Sequence, residues 1–181
     1  EFCTELFMDR IYDSSKRHFN LFFDNAWNSL VEMDSYGHDV EAGWLLCEAA
    51  RVLEDRQLMD RANRLALDVT DACLAEGLSD KGYMMYEKKG GRTTGHASWW
   101  GQIETMIACV NAWQISGNDV YLQSADTVWT FVKDCMIDRE YGEWYSDCFD
   151  GEPKKDTPKV SMWRCPYHTV RLGVEIHNRL K

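Results

Sequence analysis

Two of the five histidines stand in settings suited to proton transfer. His38 lies in Ser35-Tyr36-Gly37-His38-Asp39-Val40-Glu41, and His168 closes Trp163-Arg164-Cys165-Pro166-Tyr167-His168. Each heads an almost wholly apolar stretch and neighbours aromatic and acidic residues. Imidazole gives and takes protons near neutral pH, and a helix N-terminus favours its neutral, basic form. Two such groups on opposite sides of a substrate can remove a proton from one face and return it to the other. Glu41, three residues after His38, shares the face of the first helical turn. It reads equally as a charge favoured by the helix dipole and as a group holding the His38 ring or a substrate hydroxyl. A third cluster, Ser98-Trp99-Trp100-Gly101-Gln102-Ile103-Glu104, puts Trp100 and Glu104 on one face at a spacing of four. Glu104 lies deep in an apolar run, where an unpaired carboxylate is costly, so it needs a polar partner or a ligand. His18, His96 and His177 lack such settings and are expected to be satisfied structural groups.

The elements that must position these clusters are helices of two alternating kinds. Asp39 to Asp55 has almost no polar face and must be buried nearly all round, whereas Gln57 to Glu76 carries one apolar stripe of Leu58, Ala62, Leu65, Ala66, Val69, Ala72 and Cys73. The pair recurs: Ala97 to Ser116 is apolar on most sides, and Asp119 to Ile137 is amphipathic. Tyr167 to Leu180 reads as another inner helix, with Pro166 breaking the loop before it, and Glu5 to Tyr12 as the tail of an outer one. Inner and outer helices alternating at a fixed spacing are the signature of an αα repeat array. The aromatic segments His18 to Asp24, Gly82 to Glu87 and Gly142 to Asp147 follow turn signals and read as small hairpins. If inner and outer helices run oppositely, hairpins and inner-helix starts share one face and wall an aromatic cleft suited to sugar rings. For most of these aromatics, packing is the expected role.

Composition narrows the partners. The chain of 181 residues is 45% hydrophobic, enough for a sizeable core, and carries 20 basic against 30 acidic residues for a formal charge of -10. That acidity disfavours nucleic acid and anionic membranes. No apolar run reaches the roughly 18 residues of a membrane helix, and the N-terminus lacks a signal-peptide plan. The 7 cysteines include no C-x-x-C pair and fall mostly on apolar stripes, which suggests a reducing, cytoplasmic setting with no structural zinc. Cys165 is expected to be a packed thiol. The sequence begins inside helical periodicity without a methionine, so residues 1–181 are expected to be part of a longer protein.

At the three clusters the chain resembles the N-acylglucosamine 2-epimerase family, which includes cellobiose 2-epimerases and aldose-ketose isomerases. The matching stretches are SYGHDVEAGWLLCEAA (Ser35 to Ala50), WWGQIE (Trp99 to Glu104) and WRCPYH (Trp163 to His168), with DREYGEWY (Asp138 to Tyr145) in support. Their order is similar to the C-terminal half of that family. The resemblance implies an all-α (α/α)6 barrel, about half of it present here in one domain. It implies His38 and His168 as the acid/base pair of a sugar 2-epimerase acting on the open-chain reducing end of an aldose or N-acyl sugar through an enediolate. By the same carry-over Glu41, Trp99, Trp100 and Glu104 bind hydroxyls or orient a histidine, with Trp100 preferred over Trp99, and Trp163 stacks on the sugar. It implies no metal and no cofactor. The missing half would supply another histidine, an arginine and further sugar contacts. Half a barrel exposes the apolar faces of its inner helices, so either the parent chain is longer or two copies associate. Three alternatives stand beside the epimerase: an aldose-ketose isomerase, a glycoside hydrolase using carboxylates such as Glu41, Glu104, Asp39 and Asp147, and a carbohydrate-binding module.

Overall fold

A computed structural model describes all residues from Glu1 to Lys181. Six helices form: α1 (Phe2–Leu6), α2 (Tyr36–Leu53), α3 (Arg56–Gly77), α4 (Trp99–Ser116), α5 (Val120–Phe131) and α6 (Tyr167–Arg179). Helices α2, α4 and α6 pack side by side as an inner layer, while α3 covers α2 and α5 covers α4. Short reversals make each pair antiparallel. Glu54 caps α2 in the left-handed conformation and the Asp55 carboxylate accepts the Leu58 N–H at 3.0 Å to start α3. Gly117, at φ 70°, closes α4 in the same left-handed way. The stripe read from α3 is buried in full, from Leu58 at 4% exposure to Cys73 at 0%.

Only α4, with inner neighbours on both flanks, is buried nearly all round. For α2 that expectation fails, because Leu45, Val52 and Leu53 are exposed, and Val52 is 81% exposed. On α6, Val170 and Val174 are exposed and His168 is the one buried residue. Both helices lie at the open flanks of the layer, where a closed ring would supply the missing neighbour. The weakly buried α6 is held instead by polar anchors on one face. Arg179 binds Glu48, Asn111, Gln114 and Glu175, and Arg171 binds Glu41 and Glu104.

The three expected hairpins form. Strand β1 (Tyr12–Asp13) pairs antiparallel with β2 (His18–Phe19), and single bridges join Leu78 to Met84 and Ile137 to Trp144. Helices α1 and α5 each widen into one π turn, Phe7–Ile11 and Val132–Met136, before turning into these hairpins. The structure adds two small sheets absent from the all-α reading. Strand β3 (Met33–Asp34) pairs with β4 (Glu87–Lys89), which pairs with β5 (Arg92–Thr94); β6 (His96–Ser98), β7 (Asp147–Phe149) and β8 (Glu152–Pro153) make the other. Strands β3 and β6 run straight into α2 and α4, so each sheet fixes the angle at which an inner helix begins. No helix is long and apolar enough to cross a membrane. Cys165 is exposed, as is Cys3, so the packed-thiol expectation for Cys165 is overturned: the turn before α6 leaves it outside the layer.

Candidate active site

The starts of α2, α4 and α6 converge, and the indole of Trp100 stands among them. The His38 ring lies 4.6 Å from it, and the His168 ring lies 6.0 Å from it. Backbone as well as side chains sets this approach. A Cβ added at Gly37 would lie 2.6 Å from two atoms of the Trp100 ring, so glycine lets α2 and α4 close on the indole. The Trp99 N–H donates to Ser146 O at 2.9 Å, which ties the start of α4 to the residue just before β7.

The two histidines are held differently. His168 is 5% exposed and its Nδ1 meets Glu104 Oε1 at 2.5 Å. A carboxylate there holds the proton on Nδ1 and leaves a lone pair on Nε2, the arrangement of an oriented general base. Trp99 packs edge-on to the same ring at 5.1 Å. His38 is exposed, and its Nδ1 pairs with Ser35 Oγ at 2.8 Å. Neither Nε2 is taken by a protein hydrogen bond.

Glu104, fully buried, obtains the partners its position demands. It accepts from Trp44 Nε1 at 2.9 Å and from Arg171 at 3.0 Å, besides meeting His168. Arg171 also donates to Glu41 at 2.6 Å, with its guanidinium 5.6 Å from the Trp44 ring centre. Burial pushes Arg171 down, but the two carboxylates outweigh it and hold the guanidinium above its ordinary value. Glu41 therefore binds Arg171, and the His38 ring is held by Ser35 instead. Glu41, Glu104 and His168 offer atoms within 4.8 Å of one another, but Arg171 already supplies the positive charge at that centre.

Of the residues read from sequence, His38, Glu41, Trp99, Trp100, Glu104 and His168 come together. Trp163 is 77% exposed on the turn Ser161–Arg164, with its N–H on Ser161 Oγ, and is not brought into the cluster. Arg164 is the buried member of that turn. It donates to Ser146 Oγ at 2.5 Å and to Trp144 O, and lies 5.1 Å from the Trp99 ring centre. Ser35, Trp44 and Arg171 are neighbours of the cluster to which sequence reasoning gave no role in it. Trp44, three residues after Glu41, and Arg171, three after His168, share helix faces with those residues, but nothing in the sequence pairs them with Glu104. Beside His38, a cavity of about 850 Å³ runs along α2, lined by Phe19, Phe22, Phe23 and Tyr86 among others.

Comparison with known proteins gives this cluster a lineage. The family model described as N-acylglucosamine 2-epimerase (GlcNAc 2-epimerase) matches residues 2–171. The chain belongs to the N-acylglucosamine 2-epimerase family. A cellobiose 2-epimerase from Bacteroides fragilis is 40% identical over 176 residues, covering 94% of this chain and 44% of that protein. Among solved structures of this epimerase family, a sugar epimerase from a ruminal bacterium superposes with a TM-score of 0.94 at 33% identity, covering 98% of this chain and 46% of that one. The cellobiose 2-epimerase of Bacillus thermoamylovorans gives a TM-score of 0.90 at 31% identity, over 97% and 45%. The chain thus spans about half the length of the relatives it matches, and its layer of helices is half of their (α/α)6 barrel.

Proposed function

We propose that this chain carries the acid/base half of a sugar 2-epimerase, acting on the open-chain reducing end of an aldose. The observation that carries the reading is the pair of histidines flanking one indole, each with Nδ1 engaged and Nε2 available. In the mechanism that follows, one Nε2 removes the proton from the carbon next to the aldehyde. The resulting enediolate is reprotonated at the same carbon, from the opposite face, by the imidazolium of the other histidine. No redox change occurs, and the proton count is restored when the two histidines exchange protons with water. Glu104 orients His168, Arg171 balances the buried carboxylate, and Trp100 offers a flat apolar surface between the two bases. Trp163 is proposed to reach the sugar only from the rim.

For substrate, a disaccharide with a free reducing end such as cellobiose is favoured, following the named activity of the relatives at 31% to 40% identity. The exposed flanks of α2 and α6 are proposed to be covered by the part of the barrel that those relatives carry beyond the matched region. The decisive experiment is turnover of cellobiose in heavy water followed by proton NMR. The expected result is a new epimer with deuterium at the carbon next to the carbonyl. Epimer without deuterium would remove the solvent-exchanging two-base mechanism, and a ketose product would make the protein an isomerase. His168→Ala should abolish exchange while leaving the helical circular dichroism unchanged.

A further inference from the structure

A second polar centre lies on the other side of the α2 start. The His18 ring is 2% exposed, and its Nδ1 meets Asp39 Oδ2 at 2.7 Å. The other oxygen of Asp39 accepts the Phe19 N–H at 2.9 Å, so the carboxylate is locked and directs the His18 proton to Nδ1. Nε2 is thereby left with a lone pair. It is buried without a hydrogen-bond partner, and its nearest acidic neighbour is Glu76 Oε1 at 3.5 Å. His18 helps to line a cavity of about 300 Å³ that holds no hydrophobic side chain, together with Glu32, Asp34, Glu76, Lys16 and Lys88 among others.

Four features of this centre match a cation. His18, Asp34 and Glu76 each offer a ligand atom, all within 4.8 Å of one another. The 3.5 Å between Nε2 and Oε1 is long for a hydrogen bond, yet close to the ~3.4 Å separating two ligands of a tetrahedral zinc with bonds of about 2.0–2.1 Å. The carboxylate–histidine pair behind it is the outer-shell arrangement that metal-binding histidines use. Charge agrees: Glu32, Asp34, Asp39 and Glu76 outnumber Lys16 and Lys88 around the cavity. Lys88 sits at 2.6 Å on Oε2 of Glu76, which leaves Oε1 turned to His18. Cys73, on the far side of His18, is no competitor, because its buried thiol donates to Tyr36 O and burial pushes it well above its ordinary value.

We propose that His18 Nε2, with one carboxylate oxygen each from Asp34 and Glu76, forms a binding site for a borderline divalent cation such as Zn²⁺, separate from the cleft between His38 and His168. A cation there would clip β2, β3 and the end of α3 into one unit. Asp39, next to His38 in the chain, would carry the restraint to the start of α2. The site is thus a structural clip and takes no part in proton transfer.

The test is calorimetric titration of chelator-treated protein with ZnCl₂, paired with the visible spectrum of the Co²⁺-loaded protein. One tight equivalent per chain is expected, with a four-coordinate Co²⁺ spectrum from the three side chains and one water, and no thiolate charge-transfer band. His18→Gln, Asp34→Asn and Glu76→Gln should each weaken the affinity at least tenfold. Asp34 is half-buried and Glu76 is exposed, so their variants test the site even if His18→Gln does not fold. No tight equivalent, unchanged affinity in Asp34→Asn and Glu76→Gln, a thiolate band, or loss of binding in Glu41→Gln would each overturn the assignment.

Discussion

Gly37→Ala tests whether the contact between α2 and Trp100 governs the site. The new methyl would sit 2.6 Å from Cη2 and Cζ3 of Trp100 and 3.3 Å from Gly101 Cα. Carbon atoms rest at about 3.5–4.0 Å, so the indole must retreat by ~1 Å. The partly buried indole would have to move against the rings around it, His38 at 4.6 Å, His168 at 6.0 Å and Tyr86 at 6.3 Å between centroids. Overpacking costs about 1–3 kcal/mol, whereas alanine in a helix returns up to ~1 kcal/mol over glycine. The net expectation is a loss of roughly 1–2 kcal/mol in urea denaturation. Since a displacement of ~1 Å between reacting groups can cost about 100-fold, the rate of exchange at the sugar carbon should fall by that order. Adding Trp100→Phe removes the two clashing atoms and should recover most of the stability, giving a coupling of about 1 kcal/mol in the double-mutant cycle. The reasoning fails if Gly37→Ala is more stable than the parent and equally active, as an unconstrained helical glycine would be.

Three further outcomes are expected. Glu104→Gln takes the charged partner from His168 and one of the two carboxylates from Arg171, which keeps Glu41, so turnover should drop roughly 100-fold or more and stability by about 2–4 kcal/mol, read by NMR exchange and urea denaturation. Lys159 and the N–H groups of Glu140 and Tyr141 hold the Asp138 carboxyl well below its usual range. A depressed folded value means the unfolded chain binds the extra proton, so this stabilisation is present above a pH of about 3.9 and lost as pH falls further; Asp138→Asn should flatten that acid limb of the melting temperature. Arg179→Ala cuts the bonds to Glu48, Asn111, Gln114 and Glu175, and hydrogen exchange should show α6 opening more often while α3 stays protected.

The parts legible in the sequence are those written in periodicity or in local chemistry. The stripe on α3 and the apolar continuity of α4 gave both helices to within a few residues, and the Ser-Asp-Lys-Gly signal at Ser79 marked a true reversal. Glu104 was legible because an isolated carboxylate in an apolar helix demands a partner. The identity of that partner was not, since Trp44 and Arg171 come from two other helices and meet it only through tertiary packing. The two sheets escaped because their strands are two or three residues long. Glu87–Lys89 and Arg92–Thr94 are polar throughout and show no alternation of buried and exposed positions. His18 was expected to be an ordinary satisfied histidine; half of it is, through Asp39, and the orphaned half became visible only once Asp34 and Glu76 were placed beside it.

The sheets also redraw the boundaries of the repeat. By sequence, the module is a helix pair, α2 with α3 or α4 with α5. By hydrogen bonds, the strand that launches each inner helix belongs to the loop that follows the next outer helix: β3 to Glu87–Lys89, and β6 to Asp147–Phe149. Each module is therefore latched by its successor, like overlapping roof tiles. A swap or duplication of one helix pair would transplant the tile without its latch, leaving the strand before His38 or before Trp99 unpaired. Exchange between relatives should succeed only when the seam falls after the latching strand, which makes residues 90–91 and 150–151, the tips of those loops, the natural crossover points.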